Sequence, residues 1–538
     1  MPDDKTLGGV LRAQAMSRGA ETFLVCGTRR LTFAEADACA DRIASFLLAR
    51  GVVHGSRVAL ALPNTAEFPL FWVACSRIGA LVVPVNTRYK AAEMKDVLLR
   101  SRCDTLVMVT VFQGIDYAAA IRSIAEGFDP SAQIQSLSDF PDLKRVFAFE
   151  EADLFGEILA TLPHETVPSH ALEAAQANVT SETPLIVVYT SGTSGPPKGV
   201  VHDHSILLNC DNIAREMHID AGSIVLGHMP FYHVAGIFAV ICTSILKGCT
   251  VIVVKQWTAG GVQNQVIAEN VTVFGGIPTH YIDLTTAVSE TGRRPTTIRT
   301  AWIGGASIDP QLVHRAKDLL NIPGLQSIYG MTETTSTTTL SRIDDPIEVV
   351  CENKGRVIGD FEVIVVDPET GAEVPTGEQG EIRVRGHVVM KGYLDDPDAT
   401  AKAMTADGFL LTGDLGRYDE NGFLQVTGRL KDIFRVGGST VSPAEVEGVM
   451  RQHPAVQEAV VVGVPDARLG EVGFAFVMLE RDASVDTDTL REFCKERLAN
   501  YKVPLRVETV SQFPLTSTNK ILRGELAARA CAALEATD

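Results

Sequence analysis

Residues 189–200 read YTSGTSGPPKGV, a stretch rich in glycine, serine and threonine that contains one lysine, Lys198. It follows residues 184–188 (PLIVV), a short apolar run that predicts a buried strand. Successive N–H groups in such a loop can form a concave nest for phosphate oxygens, and Lys198 adds a fixed positive charge. The loop is not a Walker A motif, because Gly199 stands where that motif has Ser or Thr after the lysine. The alternatives are a phosphate loop of another kind and a plain surface turn.

The complete string resembles the phosphate loop of the adenylate-forming superfamily, which contains acyl-CoA synthetases, carrier-loading adenylation domains and beetle luciferases. The resemblance implies that the loop binds ATP, that Lys198 is a catalytic cation and that Thr190 also contacts the metal ion. The nucleotide-binding residues that it implies here are Thr190, Ser191, Gly192, Thr193, Ser194 and Gly195.

Composition narrows the class of protein. The 538 residues exceed one ordinary hydrophobic core, so two or more domains are expected. A net charge of −18 argues against a nucleic-acid partner and an anionic membrane surface. The ten cysteines form no CxxC pair, which is typical of reduced thiols in the cytoplasm. The longest apolar stretch, residues 234–246, is too short for a transmembrane segment and predicts a core helix. The oligomeric state is open, with a homodimer among the alternatives.

The order of predicted elements gives an α/β fold class. Strands alternate with helices as far as about residue 354, which predicts a large N-terminal domain of parallel βαβ subdomains. From Gly355 short strands and glycine-rich turns predict a β-rich subdomain, and after residue 429 a small α+β pattern follows. The predicted domains are 1–429, which binds AMP and the acyl group, and 430–538, a C-terminal cap that the resemblance implies is mobile. No function is assigned to residues 112–173.

Local sequence signals predict two helix starts and one hairpin turn. Thr32 and Glu35 are spaced as a capping box at the start of a helix. Ser442, Pro443 and Glu445 predict a second such start. Residues 419–422 (DENG) predict a hairpin, whose closure would bring Asp414 and Arg429 to one rim.

Two further motifs, GGA at residues 304–306 and YGMTE at residues 329–333, lie where strands are predicted to end. In open α/β sheets ligands gather at the carboxyl ends of strands, so these are candidate nucleotide positions. A carboxylate such as that of Glu333 is the hard oxygen ligand that Mg²⁺ prefers. The YGMTE string matches the second signature of the superfamily, which implies that Glu333 is catalytic and binds the metal. The nucleotide-binding residues implied at the two strand ends are Gly304, Gly305, Ala306, Tyr329, Gly330, Met331 and Thr332.

The C-terminal third carries the remaining superfamily motifs. Asp414, in a TGD string, and Arg429, in GRLKD, are implied to bind the ribose, and Lys431 is implied to be the hinge. Gly437 and Gly438 are implied to let the pantetheine arm of CoA pass close to the backbone. Lys520 is the implied catalytic cation of adenylation. The preceding residue is Asn519, where the family usually has Gly.

His233 is the residue that bears on the acid substrate. It resembles the histidine that gates the acyl pocket in acyl-CoA synthetases; a buried structural histidine is the alternative. No Asp follows this segment, whereas relatives that activate amino acids place one there to hold the ammonium group. The expected substrate is therefore a hydrophobic carboxylic acid.

The expected activity is that of an acid–thiol ligase, an AMP-forming acyl-CoA synthetase that uses ATP, Mg²⁺ and CoA. An enzyme that loads a carrier-protein phosphopantetheine is the first alternative. A nucleotide-binding regulator without catalysis and a luciferase-like oxygenase are more distant ones. Medium- or long-chain fatty, cyclic, aromatic and steroid-side-chain acids all remain open.

Overall fold

A computed structural model describes residues 5–150, 167–190, 197–305, 308–437, 439–481, 483–515 and 521–535. The backbone divides into two compact units. The large unit comprises Met1–Thr190, Lys198–Phe361 and Arg385–Lys402. The small unit comprises Ser191–Pro197, Glu362–Val384 and Ala403–Asp538. The predicted domain boundary at residues 429 and 430 stays a prediction.

The helices of the large unit are mostly amphipathic connections between strands. In chain order they are α1 (Leu7–Arg18), α2 (Phe33–Ala49), α3 (Glu67–Arg77), α4 (Ala91–Arg100), α5 (Tyr117–Arg122), α6 (Ser169–Ala177), α7 (Ile206–Glu216), α8 (Thr243–Lys247), α9 (Ala259–Ala268), α10 (Pro278–Thr291), α11 (Pro310–Leu319), α12 (Ile347–Cys351) and α13 (Pro397–Ala403).

The strands of the large unit are short and largely buried. They are β1 (Thr22–Cys26), β2 (Arg29–Thr32), β3 (Arg57–Ala61), β4 (Leu81–Pro84), β5 (Thr105–Val109), β6 (Val111–Phe112), β7 (Ile115–Asp116), β8 (Arg145–Phe149), β9 (Pro184–Tyr189), β10 (Gly199–Asp203), β11 (Ile224–Gly227), β12 (Thr250–Val253), β13 (Val273–Gly276), β14 (Thr300–Gly304), β15 (Gly324–Tyr329), β16 (Thr339–Leu340), β17 (Lys354–Val357) and β20 (Gly392–Tyr393).

Two mixed sheets form the framework of the large unit. One has the order β20-β10-β9-β4-β3-β5-β8, with β9 and β10 antiparallel and the strands from β9 to β8 parallel. The other runs β17-β16-β15-β14-β13-β11-β12-β1-β2 and is parallel from β15 to β1. The predicted parallel βαβ organisation is confirmed. Its consequence is that the carboxyl ends of β11, β13, β14 and β15 share one edge.

A buried cluster fills the space between the second sheet and its helices. Phe274 and Ile303 from β13 and β14 pack with Val266, Leu284 and Val313 from α9, α10 and α11. The helices cover the strands because each carries an apolar stripe that only the sheet can bury. This packing fixes the strand ends that carry the predicted site residues.

Two local predictions of the large unit are confirmed. Thr32 and Glu35 form both hydrogen bonds of the capping box, at 3.2 and 2.8 Å. The apolar stretch 234–246 is a buried helix, although its first part, Ala235–Cys242, is wound as a π-helix before α8 begins. Wide turns of this kind occur frequently at functional sites.

The small unit contains two sheets. Its strands and helices are β18 (Glu362–Val366), β19 (Gly380–Arg385), β21 (Leu410–Tyr418), β22 (Leu424–Arg429), β23 (Phe434–Val436), β24 (Ser439–Val441), α14 (Pro443–Met450), β25 (Val456–Asp466), β26 (Gly470–Leu479), α15 (Thr487–Lys495), β27 (Arg506–Thr509) and α16 (Arg523–Glu535). Strands β18, β19, β21 and β22 lie in that order, and the second sheet has the order β24-β23-β26-β25, with β27 beside β26. These are the predicted β-rich and α+β segments.

Side chains that alternate along β25 and β26 pack into two different buried clusters, one on each face of the second sheet. Val461 and Val477 pack in the cluster that includes residues of α14 and α15. Val460 and Phe474 pack in the other, which includes Leu526 of α16. Successive side chains of a strand point to opposite faces, so a run of Val and Phe can be buried on both.

One prediction for the small unit is wrong in part. Ser442 precedes α14 and Pro443 is its first residue, as expected, but the capping box does not form. The Ser442 hydroxyl donates to the Thr427 carbonyl at 3.2 Å, and both Glu445 carboxylate oxygens accept from Lys502 Nζ at 2.7 Å. Tertiary partners therefore replace the local bonds that the spacing indicated.

Candidate active site

The two ends of the predicted phosphate loop are closed by backbone pairing. Thr190 N–H donates to the Lys198 carbonyl at 3.0 Å, and Tyr189 pairs with Gly199 in the β9–β10 ladder. Residues Ser191, Gly192, Thr193, Ser194 and Gly195 lie outside the described part of the chain. The described ends form the base of a hairpin loop whose last residue before β10 is Lys198.

Lys198 and Glu333 are linked by a single tyrosine. The Lys198 ammonium lies over the Tyr393 ring, 4.6 Å from its centroid, and the Tyr393 hydroxyl donates to Glu333 Oε1 at 3.0 Å. A cation over an aromatic face and a hydrogen bond to a carboxylate are both attractive. Burial, together with the Glu333 carboxylate, raises the pKa of Tyr393, so its hydroxyl keeps the proton that it donates. The structure thus brings together two of the predicted catalytic residues.

Tyr393 was not among the sequence-predicted residues. It reaches the site because β20 pairs with β10, placing Tyr393 opposite Val200. The preceding Lys391 forms an ion pair with the buried carboxylate of Asp203 at 2.8 Å, and Leu394 N–H donates to the Gly199 carbonyl at 2.8 Å. The string KGYL at residues 391–394 contains no signal that predicts this pairing, because the two paired segments lie far apart in the sequence.

The YGMTE segment turns sharply after β15. Tyr329 ends the strand, and Thr332–Thr334 form a single turn of 3₁₀-helix. A Cβ atom at Gly330 would lie 2.2 Å from the Ser336 carbonyl oxygen, so this position requires glycine. Met331 N–H donates to Thr334 Oγ1 at 3.1 Å. The turn fixes the backbone from which Thr332 and Glu333 project.

Buried polar side chains of β10 and α7 hold this turn in place. His202 on β10 contacts the Thr332 carbonyl through Nε2 at 2.8 Å, and burial lowers the pKa of His202 to about 4. Asn209 on α7 donates to the carbonyls of Thr335 and Thr337 at 3.2 and 2.8 Å. Met390 N–H donates to the Glu333 carbonyl at 2.8 Å. Glu333 is only 7% exposed, so its carboxylate has a defined position.

The second predicted strand end lies beside the first. Gly304 of β14 pairs with Ile328 of β15, and a Cβ atom at Gly304 would lie 2.4 Å from the Ile328 carbonyl oxygen. Gly305 follows with φ +77°, a conformation that glycine adopts freely. Ala306 lies outside the described residues. The close approach of the two strands therefore requires glycine at position 304.

His233 lies in a tight turn after β11. Its N–H donates to the Pro230 carbonyl at 3.0 Å, and a Cβ atom at Gly236 would lie 2.1 Å from the same carbonyl oxygen. Asn64 supports the turn by accepting from Phe231 N–H and donating to the Met229 carbonyl, both at 2.9 Å. His233 is half-buried at the start of the π-helix.

In the small unit the predicted hairpin is confirmed. Asp414 pairs with Arg429 across β21 and β22, and Arg429 Nε lies 3.2 Å from Asp414 Oδ1. Thr412 accepts from Asp414 N–H at 3.0 Å and donates to the Ile382 carbonyl at 2.6 Å. The Asp414 carboxylate is largely buried while Arg429 is partly exposed. Asp414 and Arg429 therefore lie on the same side of the hairpin, as the turn signal predicted.

The predicted hinge and thiol-route residues follow directly. Lys431 lies in a 3₁₀ turn, Leu430–Asp432, and burial together with the Arg429 charge lowers its pKa. Gly437 has φ +57° and its N–H donates to the Leu469 carbonyl at 2.8 Å. Gly438 and Lys520 lie outside the described residues.

Within the described ranges, no three or more His, Cys, Asp or Glu side chains are grouped so that they alone could hold a metal ion. In the same ranges, no helix has the length and apolar character that crossing a bilayer demands.

Solved structures of adenylate-forming enzymes share this fold. The o-succinylbenzoate CoA synthetase from Bacillus subtilis, solved with its acyl-adenylate intermediate, is 27% identical with a TM-score of 0.78, and the match covers 96% of this chain and 97% of that one.

Two curated relatives match nearly the full chain. A 3-[(3aS,4S,7aS)-7a-methyl-1,5-dioxo-octahydro-1H-inden-4-yl]propanoyl:CoA ligase of Rhodococcus jostii is 34% identical, covering 97% of this chain and 98% of its own. The mitochondrial medium-chain acyl-CoA ligase of Bos taurus is 30% identical, covering 97% and 87%.

The fold and the two strand-end motifs define an enzyme that forms adenylates. Family models match residues 11–394 as an AMP-binding enzyme and residues 445–520 as the C-terminal domain of an AMP-binding enzyme. The chain belongs to the AMP-binding enzyme family.

Proposed function

We propose that this chain is an AMP-forming acyl-CoA ligase. It activates a hydrophobic carboxylic acid with ATP and transfers the acyl group to CoA. The observation that carries the proposal is the connection of Lys198 to Glu333 through Tyr393 at the ends of the strands β9 and β15. A cation and a carboxylate held by one tyrosine support the binding of a polyphosphate together with its metal ion.

In the first half-reaction a carboxylate oxygen of the acid attacks the α-phosphorus of ATP. The acyl–phosphate bond forms while the bond to the pyrophosphate oxygen breaks, and pyrophosphate leaves. Lys198 and Lys520 stabilise the charge that develops on the phosphate oxygens, since phosphoryl transfer depends mainly on positioning and electrostatics. The loop residues 190–195 supply N–H and hydroxyl donors.

Mg²⁺ fits the residues available. The Glu333 carboxylate is a hard oxygen ligand that the Tyr393 hydroxyl holds in place. Thr190, at the other end of the loop from Lys198, offers a hydroxyl as a second oxygen ligand. Mg²⁺ commonly takes one or two protein ligands and completes its shell with phosphates and water. When bound, the ion offsets the negative charge of the triphosphate.

The remaining contacts of the nucleotide follow from the strand ends and the hairpin. Tyr329 and the Gly304–Gly305 backbone provide a flat surface for adenine, and Asp414 and Arg429 bind the ribose hydroxyls. These assignments are supported by the close strand approach at Gly304 and by the Asp414–Arg429 ion pair.

In the second half-reaction the thiol sulfur of CoA attacks the acyl carbon. The thioester forms, the thiol loses its proton, and AMP leaves with the electron pair of the acyl–oxygen bond. His233 gates the route of the thiol, and Gly437 and Gly438 line the pantetheine arm. Lys431 serves as the pivot between the two half-reactions and has no role in bond making.

The acid is hydrophobic, with its binding site beside His233. Val234 and Gly236 are buried apolar neighbours of that histidine. The relatives are named for a bicyclic dioxo acid and for medium-chain acids, which supports an apolar skeleton.

A cytoplasmic location and a homodimeric assembly complete the proposal. All ten cysteines are unpaired thiols, and eight of them are buried, as suits a reducing compartment. Fractionation and light scattering test these two points.

The activity is tested by incubation with ATP, Mg²⁺, CoA and a panel of apolar acids. We expect pyrophosphate, an acyl adenylate and then a thioester, each identified by mass spectrometry. An adenylate without a thioester would contradict CoA as the acceptor, and transfer to a purified carrier protein would then identify a carrier-loading enzyme. ATP binding without pyrophosphate release on any acid would indicate a regulator.

A further inference from the structure

One buried and one half-buried histidine lie at the strand ends beside the proposed acid site. His228 follows β11 directly, and His280 lies in the first turn of α10, just after β13. His228 Nε2 and His280 Nδ1 are 3.3 Å apart, so one ring donates to the other. We call His228 and His280 the histidine pair.

Aromatic rings fix the histidine pair in place. The His228 ring stacks on Phe274 with a centroid distance of 5.2 Å and an angle of 9°, and Trp257 lies 4.8 Å from His228 and 4.3 Å from His280. Trp257 is itself held, because its Nε1–H donates to Asp283 at 2.8 Å. Both imidazoles are therefore held in defined orientations.

The pair retains unused hydrogen-bonding capacity. His228 is 7% exposed, and its Nδ1 has no partner of good geometry among the described residues, although the Leu226 carbonyl is near enough to favour protonation. His280 is half-buried, and within the same residues its Nε2 makes no hydrogen bond. A buried polar atom without a hydrogen-bond partner in the described part of the chain, such as His228 Nδ1, destabilises the fold, so a phenylalanine at this position would serve packing better.

Both rings are neutral near pH 7. Burial and the neighbouring His280 lower the pKa of His228 well below its ordinary value. Burial and the Arg88 charge lower the pKa of His280 to about 4. A neutral imidazole presents one donor and one acceptor, which suits an uncharged oxygen group.

The pair adjoins the residues assigned to the acid. His228 and His233 belong to one short segment after β11, which Asn64 holds at Met229 and Phe231. Burial and the Arg88 charge lower the pKa of His280, and the same charge opposes the rise that burial causes in the pKa of Tyr232, next to His233. Gly276 lets His280 come close to β13, since a Cβ there would lie 2.8 Å from His280 Nδ1.

We propose that the histidine pair is a recognition subsite for an uncharged oxygen substituent, a ketone or a hydroxyl, carried by the apolar acid away from its carboxylate. This inference rests on the proposed acyl-CoA ligase function and specifies its substrate class. A ketone accepts from a ring N–H, and a hydroxyl serves either tautomer. A plain hydrocarbon chain leaves the pair unsatisfied.

The test compares acids that differ only in the substituent. One set is 3-cyclohexylpropanoic acid with its 4-oxo and 4-hydroxy ring derivatives, and a linear set is octanoic acid with 7-oxo- and 7-hydroxyoctanoic acid. For the wild type we expect kcat/KM for pyrophosphate release to be at least about tenfold higher for an oxygenated acid of one set, because a site built for a polar group rejects its apolar analogue. Ketone and hydroxyl arms identify which group is recognised.

His280→Phe keeps an aromatic ring and removes the polar atoms. We expect this variant to lose the preference while it still turns over the unsubstituted acid, and His280→Gln to keep part of the preference. His314→Phe, the same change at an exposed histidine of α11, is the control and is expected to keep it. Thermal melting verifies that each variant is folded.

The outcomes separate the two proposals. No preference in the wild type for either set, or equal loss for all acids in His280→Phe, would overturn the subsite while the ligase function stands. Absence of pyrophosphate release with every acid would overturn the ligase function, and the subsite with it.

Discussion

At the scale of single residues, one tyrosine connects the two charged residues that are proposed to bind the phosphates and the metal ion. Tyr393 contacts Lys198 through its ring and Glu333 through its hydroxyl. A lysine beside a carboxylate would ordinarily form a direct ion pair, which bound phosphate and metal would have to break. The tyrosine between them keeps both groups oriented and leaves each able to meet its own ligand.

Two variants of Tyr393 separate its contacts. Tyr393→Phe removes the bond to Glu333, and because a hydrogen bond to a charged group contributes about 1.5–3 kcal/mol, the half-saturating Mg²⁺ concentration should rise about tenfold. Tyr393→Leu also removes the cation–aromatic contact of about 1 kcal/mol, so KM for ATP should rise several-fold as well. Steady-state pyrophosphate release at varied Mg²⁺ and ATP measures both.

Tyr501→Phe is the control, since Tyr501 is 40% exposed in the small unit. A Phe variant that loses activity equally at every Mg²⁺ concentration would argue that Tyr393 only supports the fold.

Sequence motifs predicted the charged residues of the candidate site, whereas no motif predicted Tyr393. The motifs around Lys198 and Glu333 are dense strings whose residue types have a chemical reason. Tyr393 acts only because β20 pairs with β10, and strand pairing over such a separation leaves no periodic mark in the sequence. The histidine pair was missed for the same reason, since its two members lie on different βα units.

At the scale of elements, the turn after β15 is held by close backbone contacts and hydrogen bonds. Gly330 lies against the Ser336 backbone, and both Thr335 and Ser336 have positive φ, at 51° and 72°. Non-glycine residues adopt this region at a cost, so surrounding contacts must maintain it. The Asn209 amide and the Thr335 bond to the Val388 carbonyl, at 2.8 Å, supply those contacts.

Gly330→Ala should displace this turn. The added methyl meets a backbone oxygen, so Glu333 and Thr332 must shift, and a displacement of about 1 Å can cost about a hundredfold in rate. Gly260→Ala, on α9 with open space around the new methyl, is the matched control and should stabilise by up to about 1 kcal/mol. Adenylation rates and melting temperatures of both variants test this contrast. Retained activity in Gly330→Ala would show that the turn tolerates movement.

The contact between β10 and this turn predicts a dependence of stability on pH. The folded state keeps His202 neutral down to about pH 4, whereas the unfolded chain protonates it below about 6.5. The unfolded state binds more protons in that window, so stability falls as pH falls from about 6.5 to 4, by up to about 1.4 kcal/mol per pH unit. His202→Gln can still donate to the Thr332 carbonyl and does not titrate. Melting temperatures between pH 7 and 5 should therefore fall less steeply for the variant, and identical slopes would contradict the assignment.

Local sequence patterns predicted the helices, the strands and the hairpin better than they predicted the hydrogen bonds that cap helices. The βα alternation and the hairpin at residues 419–422 followed from periodicity and turn residues, which act over a few positions. Ser442 is the N-cap residue of α14 as predicted, but its capping box does not form, because Thr427 binds the Ser442 hydroxyl and Lys502 binds the Glu445 carboxylate. A spacing rule cannot include competitors that only the fold creates.

At the scale of the whole molecule, the chain is divided into two units of different construction. The large unit is a pair of mixed sheets with helices, and the small unit has its own buried clusters. The phosphate-loop lysine and Glu333 belong to the first, whereas Asp414, Arg429 and Lys431 belong to the second. A chain divided in this way can assign different side chains to different half-reactions.

Lys520→Ala tests that division of labour. Lys520 is proposed to stabilise charge only while the carboxylate attacks ATP, so its removal should slow adenylation roughly a hundred- to a thousandfold, as loss of one charge-stabilising group does elsewhere. Thioester formation from supplied acyl adenylate and CoA should stay near the wild-type rate. Pyrophosphate release measures the first step and CoA thiol consumption the second. Lys495→Ala, an exposed lysine of α15 paired with Glu492, is the control and should leave both rates unchanged. If Lys520→Ala slowed the two half-reactions equally, the lysine would serve binding or folding in general, and the proposal of a separate role in each half-reaction would be wrong.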